Sequence, residues 1–168
     1  QVLIGLESPT AAALRGVEQR ADWKARQVDT YFAAINRIQS HGISVNGCFV
    51  LGLDGTGPES FAAVRNFVRD SGLYEVQVTI QTPFPGTPLY ERLKNEGRLL
   101  DETAWELCTL FDVNFTPDGM TVQDLERHFV WLVKELYGEE ATRSRRRSFY
   151  RQLHALRRQE HALAGDAS

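Results

Sequence analysis

Three β-strand patterns recur at intervals of about 35 to 40 residues, and helical patterns separate them. We predict these strands at residues 2–6, 43–53 and 74–81. Parallel strands need long crossover connections, which are usually helices. The chain of 168 residues, 42% of them hydrophobic, is long enough for one sizeable core. The spacing therefore predicts an α/β fold with parallel strands.

Helical patterns fill both intervals between the strands. Residues 10–20 are rich in helix formers, and an apolar stripe follows between Val28 and Ile38. Thr56 and Glu59 have the spacing of a capping box, which predicts the start of a third helix. The apolar run at 43–53 is typical of a strand that is buried on both faces.

The chain divides into two parts near residue 100. Residues 1–100 hold the strand and helix units, whereas residues 101–168 form a predicted helical appendix. A capped amphipathic helix is predicted within it at 121–138.

The end of the chain is basic, although the net charge of the whole chain is -3. Residues 139–168 hold seven arginines and four acidic residues. Phe149, Leu153 and Leu156 recur there at helical spacing. This pattern favours a charged helix with one buried stripe over a surface for nucleic acid.

The cysteine content and the absence of long apolar runs exclude several protein classes. Cys48 and Cys108 are too far apart for a close-spaced metal motif and too few for a disulfide framework. No apolar run reaches the roughly 18 residues that span a bilayer. We therefore expect a cytoplasmic protein without a metal site of its own. Because the chain begins with Gln1 and enters an apolar run at once, we interpret it as a piece of a larger polypeptide.

The third predicted strand has one wholly polar face. Its apolar residues alternate with Glu75, Gln77, Thr79 and Gln81. Two interpretations are open for this polar face. The strand lies either at a sheet edge with its polar face toward water, or in a barrel whose interior meets a polar ligand.

Each predicted strand ends in a segment of unusual composition. These segments are GLES at 5–8, GLDGTGPES at 52–60 and TPFPGTP at 82–88. Ligands of α/β folds bind beyond the carboxyl ends of the strands, which favours the barrel interpretation. The segment at 52–60 lacks the Gly-Lys-Ser/Thr ending of a phosphate loop, which argues against hydrolysis of nucleoside triphosphates. The proline-rich segment at 82–88 is either a rigid cover of the barrel mouth or a plain strand-to-helix connection. Thr87 is predicted to cap the helix that follows.

Together, LIGLES, GCFVLGLDGTGPESF, VTIQTPFPGTPLYERLKNEGRL and FDVNFTPDGMT resemble the later part of radical S-adenosylmethionine proteins. The likeness is to the group with an N-terminal cobalamin-binding domain, which includes Mg-protoporphyrin monomethyl ester oxidative cyclases and hopanoid-modifying enzymes. The resemblance extends over residues 1–138.

The resemblance implies the C-terminal portion of a partial (β/α) barrel. In the family, a CxxxCxxC loop near the first strands holds a [4Fe-4S] cluster that binds S-adenosylmethionine and reduces it to a 5′-deoxyadenosyl radical. That loop is absent from this sequence. The resemblance thus implies a fragment of an oxidative cyclase or methyltransferase that modifies an unactivated carbon of a tetrapyrrole or lipid. We expect the fragment alone to be inactive, and cobalamin is a possible cofactor through an N-terminal domain.

The resemblance also implies cofactor contacts for residues that follow the first strand. It places Glu7 and its neighbour Ser8 near the ribose or the methionine portion, and Arg20 near the methionine carboxylate. The local sequence equally fits Glu7 as a helix-capping acid and Arg20 as an exposed arginine at a helix end.

Further contacts are implied on the second and third strands. Phe49, Val50 and Leu51 match a strand whose backbone and apolar side chain contact adenine, whereas Cys48 is interpreted as a small buried hydrophobe. On the third strand, the inward polar residues become candidates: Gln81 for the cofactor, and Gln77 and Thr79 for the substrate.

The expected partners are a small-molecule substrate and the missing N-terminal half of the same polypeptide. A dimer through the exposed barrel edge is a further possibility, whereas nucleic acid is not expected. Two other functions stay open: a non-catalytic domain that binds a nucleotide or RNA, and a phosphate-binding barrel enzyme. For the core, we expect Phe32, Phe49, Val64 and Val78 to be buried together.

Overall fold

A computed structural model describes residues 1–15 and 23–165. It contains three strands, β1 (Val2–Glu7), β2 (Val45–Leu51) and β3 (Glu75–Ile80). The helices of the described residues are α1 (Ala11–Leu14), α2 (Trp23–Gln27), α3 (Tyr31–Ser40), α4 (Glu59–Ser71), α5 (Pro88–Asn95), α6 (Val122–Tyr137) and α7 (Glu139–Gly165). Short 3-10 helices lie at Val28–Thr30 and Trp105–Leu107. The predicted α/β fold, with strand and helix units followed by helices, is confirmed.

The three strands form one parallel sheet in the order β1-β2-β3. Val2 pairs with Val45 at the start of the sheet, and Leu51 pairs with Ile80 at the other end. The register between β1 and β2 shifts after Gly5, so that Glu7 pairs with Phe49.

The buried side chains of the sheet point to one face, and the helices cover that face. The strand residues of this core are Leu6, Val45, Phe49, Leu51, Val76, Val78 and Ile80. Ile35 of α3, Phe61 of α4 and Leu125 of α6 belong to the same core. The expectation that β2 is buried on both faces is wrong, because Asn46, Cys48 and Val50 stay partly exposed on the opposite face.

The predicted core group is correct except for Phe32, which is 40% exposed. Helix α3 turns Tyr31 and Ile35 toward the sheet. Successive helical residues are separated by about 100° around the axis, so Phe32 lies at the rim of the buried stripe. Its ring still contacts Phe67, at 4.8 Å between the ring centroids.

Two of the helix starts are capped as the sequence predicts. The hydroxyl oxygens of Thr87 and Thr121 accept hydrogen bonds from the amides of Tyr90 and Asp124, at 3.3 and 3.0 Å. The predicted capping box of α4 is wrong, however.

The two halves of that predicted box make other contacts. The Thr56 hydroxyl donates to the Leu53 carbonyl, and the Glu59 carboxylate accepts from the Gly57 amide at 2.9 Å. The Thr56 hydroxyl is therefore bonded within the turn that follows β2 and does not cap α4.

The basic end of the chain forms the long helix α7. Phe149 is buried, with its ring centroid 5.1 Å from that of Tyr74, and Leu153 and Leu156 are partly buried. The predicted charged helix with one buried stripe is thus confirmed as far as Leu156. Arg146 donates to the Glu75 carboxylate at 2.5 Å and lies over the Tyr74 ring.

Gln39 connects α3 to the amino ends of two strands. Its side-chain nitrogen donates to the Gly72 carbonyl at 2.8 Å. Its oxygen accepts from the amides of Val45 and Tyr74, at 3.4 and 3.2 Å. Because Gln39 is buried, these three backbone groups depend on it for their hydrogen bonds.

The outer edge of β3 is bonded by groups that do not come from a strand. The Tyr137 hydroxyl accepts from the Val78 amide at 3.3 Å and donates to the Val76 carbonyl at 3.1 Å. The Ile80 amide donates to the Leu110 carbonyl at 2.7 Å. These contacts satisfy backbone groups that an open sheet edge would leave to water.

We expect Tyr137→Phe to destabilise the chain by about 1 kcal/mol, because both bonds of the hydroxyl to β3 are lost. Urea unfolding followed by circular dichroism measures this change. Tyr90→Phe is the matched control, since its hydroxyl donates to the Glu102 carbonyl on an exposed loop. Equal losses in both variants would contradict a special role of Tyr137 at the sheet edge.

Candidate functional site

The sheet face opposite the helices carries the candidate site. Residues paired across parallel strands point to the same face, so Cys48 lies beside Gln77, and Val50 beside Thr79. Gly5 of β1 is the neighbour of Cys48 on the other side. These side chains are partly exposed, in contrast to the buried helix-facing side. The face is therefore open to a ligand.

Glu7 reaches this face through an unusual backbone. Its φ of 62° lies in the left-handed region, which is uncommon for residues other than glycine. The side chain folds back over Gly5, where a Cβ atom would lie only 2.6 Å from the Glu7 Oε1. Gly5, which has no Cβ, thus leaves the space on the polar face that the carboxylate occupies. Lys24 donates to the same oxygen at 2.7 Å.

Cys48 connects Glu7 to the third strand. Its Sγ lies 3.8 Å from the Gln77 Oε1. Burial raises the pKa of the Cys48 thiol, and the negative charge of Glu7 raises this pKa further. Glu7, Lys24, Cys48 and Gln77 therefore form one group, which we name the polar cluster.

Two buried acceptors lie on the same strands as the polar cluster. Asn46 Oδ1 and Gln81 Oε1 are buried and have no hydrogen-bond partner within the described part of the chain. Buried polar atoms without partners are rare in folded proteins. They indicate that hydrogen-bond donors from another molecule or another part of the polypeptide complete this face.

The structure brings together five of the predicted site residues on the open side of the sheet. They are Glu7, Val50, Gln77, Thr79 and Gln81. The alternation of β3 continues into Gln81, whose amide donates to the Leu51 carbonyl at 2.9 Å.

Among the described residues, the other predicted site residues do not present their side chains there. Phe49 and Leu51 are buried on the helix-covered face, so only their backbone atoms are available, and the Phe49 carbonyl already accepts from Thr79. Ser8 is buried and accepts from the Thr10 amide at 3.2 Å, which makes it part of the turn before α1. Arg20 lies outside the described residues.

Lys24 is the site residue that the sequence analysis missed. It lies four positions after Arg20 in the sequence, and it supplies the positive charge next to Glu7. A search for basic residues within four positions of Arg20 in the sequence would have found it.

Charged side chains hold the loop after β2 in place through ion pairs and hydrogen bonds. Asp54 accepts from Arg92 at 2.6 Å and from Arg98 at 2.7 Å. Both oxygens of Asp118 accept from the Gly55 amide at 3.0 Å. The glycine-rich segment therefore uses a carboxylate of the chain itself where a phosphate loop would bind phosphate.

The described residues hold neither a candidate metal site nor a membrane-spanning helix. Within residues 1–15 and 23–165, no three His, Cys, Asp or Glu side chains are placed to hold a metal ion. None of the helices in the described ranges has the length and apolar character needed to cross a membrane.

Comparisons with known proteins give two kinds of match. Residues 87–165 match a family model described as a domain of unknown function, DUF4070. Bacteriochlorophyllide d C-12(1)-methyltransferase of Chlorobaculum tepidum is 27% identical over 134 residues, which are 80% of this chain and 28% of that protein.

Two further relatives are similar to overlapping parts of the chain. Hopanoid C-2 methylase of Rhodopseudomonas palustris is 28% identical over 60% of this chain and 18% of its own length. An uncharacterized methyltransferase of Synechocystis is 24% identical over 81% of this chain and 24% of its own length. The chain thus spans less than a third of the curated relatives that it matches.

Replacing Glu7 with Gln should lower the pKa of the Cys48 thiol, because a nearby negative charge that disfavours the thiolate is removed. Iodoacetamide reacts with the thiolate, so alkylation of Cys48 should be faster at pH values below the usual thiol pKa of about 8.5. A Cys108→Ser background isolates the signal in mass spectrometry. Glu59→Gln is the control. An unchanged alkylation rate in E7Q would show that Glu7 does not raise the pKa of the Cys48 thiol.

Asp54 should make stability depend on pH. Burial disfavours its charge, but hydrogen bonds from Arg98 and Arg92 outweigh burial and lower its pKa. Its contribution is therefore present above the unfolded pKa of about 3.9 and is lost as pH falls through the folded value.

Asp54→Asn should consequently lower the free energy of unfolding at neutral pH, and its difference from wild type should shrink below about pH 4. Urea unfolding over a pH series measures both effects. Asp29→Asn, at an exposed aspartate before α3, is the control. A difference that stays constant through the acid range would rule out the ion pairs as its source.

Proposed function

We propose that the chain is part of a radical S-adenosylmethionine enzyme of the cobalamin-linked group, which its matches to the DUF4070 domain and to two methyltransferases support. In this proposal, the open face of the sheet forms one wall of the S-adenosylmethionine site. The substrate is an apolar ring compound with an unactivated carbon, and the reaction is methyl transfer. The names of the three relatives support methyl transfer over oxidative cyclisation.

The position of Glu7 carries this proposal. The left-handed backbone and the bulge in β1 bring its carboxylate onto the one sheet face that the helices leave open. S-adenosylmethionine carries an ammonium group and ribose hydroxyls, which a carboxylate can accept from. It also carries a carboxylate, which suits the Lys24 ammonium. Both residues are partly exposed, so a ligand can replace their mutual contact.

The other residues of the face have distinct roles in this proposal. Val50 supplies an apolar contact for adenine, and Gln81 supplies a buried acceptor for its amino group. Gln77 and Thr79 point toward the substrate. When bound, the cofactor supplies a 5′-deoxyadenosyl radical or a methyl group. The chain binds and orients the cofactor, and the apolar side chains next to the site exclude water from the reactive carbon.

We propose that parts of the polypeptide outside this chain hold the [4Fe-4S] cluster and, where it is used, cobalamin. The isolated chain is then inactive, with residues 1–100 as barrel and 101–168 as appendix. A dimer through the exposed sheet edge stays a prediction. The alternative of RNA binding through the arginine-rich tail has less support. Arg146 is engaged with Glu75, and Arg145 donates to the Leu136 carbonyl.

The longer polypeptide, loaded anaerobically with iron and sulfide and supplied with a reductant, should convert S-adenosylmethionine to 5′-deoxyadenosine or S-adenosylhomocysteine. Glu7→Gln and Lys24→Met should each raise KM for S-adenosylmethionine by about tenfold or more, since a charged hydrogen bond contributes about 1.5 to 3 kcal/mol. Product formation is measured by liquid chromatography.

Arg26→Met is the matched control, because Arg26 is an exposed basic residue on the same helix as Lys24. Its KM should equal that of the wild type. Absence of both products in the loaded wild-type enzyme would refute the proposed activity. Equal KM values in all variants would refute the placement of the cofactor at Glu7 and Lys24.

A further inference from the structure

Residues 101–113 form a closed loop with a fixed base. An antiparallel bridge joins Leu99 to Phe115. The buried Asn114 side chain then fastens the start of the loop: it accepts from the Asp101 amide at 3.0 Å and donates to the Asp101 carbonyl at 2.8 Å. The Leu100 amide donates to the Asn114 carbonyl. A loop that is fastened in this way presents its side chains in a defined place.

The loop reaches the edge of the candidate site. The Leu110 carbonyl accepts from the amide of Ile80, the last residue of β3. Leu110 has a φ of 71°, a left-handed conformation that is costly for a branched side chain. The next residue after Ile80 is Gln81, whose side-chain oxygen is buried without a partner among the described residues. The loop therefore lies directly beside the site.

Apolar side chains are exposed on this loop. Trp105 is 68% exposed, Phe111 58% and Leu110 37%. Single exposed apolar residues are common on protein surfaces. Two exposed aromatic rings and a leucine in a left-handed conformation on one loop indicate a binding surface instead. Exposed aromatic side chains gain most from contact with an apolar surface.

The charge of the loop helps to identify its ligand. Acidic residues are interspersed with the aromatic ones, namely Asp101, Glu102, Glu106 and Asp112. An anionic membrane surface would be repelled by these carboxylates. An apolar ring system in the adjoining site can instead lie against the aromatic rings while the carboxylates stay in water.

We infer that the 101–113 loop binds the apolar ring system of the substrate, and that Trp105 and Phe111 determine specificity for it. This inference rests on the proposed function, since it takes the open sheet face as the site of reaction. The shared chemistry is a rigid polycyclic skeleton, which either a tetrapyrrole or a hopanoid supplies.

The test measures binding to this chain without cluster or S-adenosylmethionine. Pheophorbide a, a magnesium-free tetrapyrrole, is titrated with the chain and followed by its fluorescence. Diplopterol, a hopanoid, is tested as a competitor. Saturable binding of either compound supports the inference, and the competition identifies the preferred skeleton. Absence of saturable binding for both compounds would overturn it.

The variants locate the binding surface. Trp105→Ala combined with Phe111→Ala should weaken binding by about tenfold or more, because aromatic contacts dominate such interfaces. The control combines Trp23→Ala with Phe32→Ala, two exposed aromatic residues on α2 and α3. It should bind as the wild type does. Equal weakening of binding in both double variants, or weakening in neither, would overturn the inference. It would also be overturned if the wild-type chain bound anionic vesicles and the loop variant did not.

A second measurement covers the case in which the double variant fails to fold. Trp23→Phe with Trp131→Phe leaves Trp105 as the one tryptophan, and Trp105→Phe with Trp131→Phe leaves Trp23. Pheophorbide should quench Trp105 more strongly than Trp23, and equal quenching would overturn the inference. Failure of the longer polypeptide to form 5′-deoxyadenosine or S-adenosylhomocysteine would refute the proposed activity and leave these binding results unaffected.

Discussion

The fold depends on the burial of one face of a three-stranded parallel sheet beneath its helices. Side chains of β2 and β3 such as Phe49 and Val78 pack there with α3, α4 and α6, and this burial is the main source of stability. Gln39 completes the arrangement by bonding the amino ends of both strands. Because the core helices α3, α4 and α6 cover one face, the alternating polar side chains are left on the other. The candidate site is thus a direct result of how the core is built.

The chemistry of that open face is set by backbone geometry as much as by side chains. Gly5 has no Cβ, and Glu7 adopts a left-handed conformation, so a carboxylate from the end of β1 comes to lie beside Cys48 of β2. Burial raises the pKa of the Cys48 thiol, and the negative charge of Glu7 raises this pKa further. Asp54 and Asp118 act differently, since they hold the neighbouring loop in place through Arg92, Arg98 and the Gly55 amide.

Local periodicity predicted much of the fold, because it acts over a few residues. The alternation in 74–81 correctly gave the polar face of β3, and Thr87 and Thr121 were recognised as caps. Consecutive strand residues point to opposite faces, so Phe49, Val50 and Leu51 could not all turn their side chains to one ligand. Lys24 was missed because its contact with Glu7 joins residues that are 17 positions apart in the chain. The predicted capping box of α4 was wrong because the Thr56 hydroxyl donates to the Leu53 carbonyl instead.

The hydrogen bonds of Tyr137 and Leu110 to β3 close this edge of the sheet to a further strand. A phenol and a loop carbonyl take up the amides of Val78 and Ile80, so a further strand cannot align there without displacing them. Any extension of the sheet by another segment must therefore begin at β1. The sheet therefore has one closed edge, at β3, and one edge that can pair with a further strand, at β1. Enlargement toward a barrel can proceed only from β1.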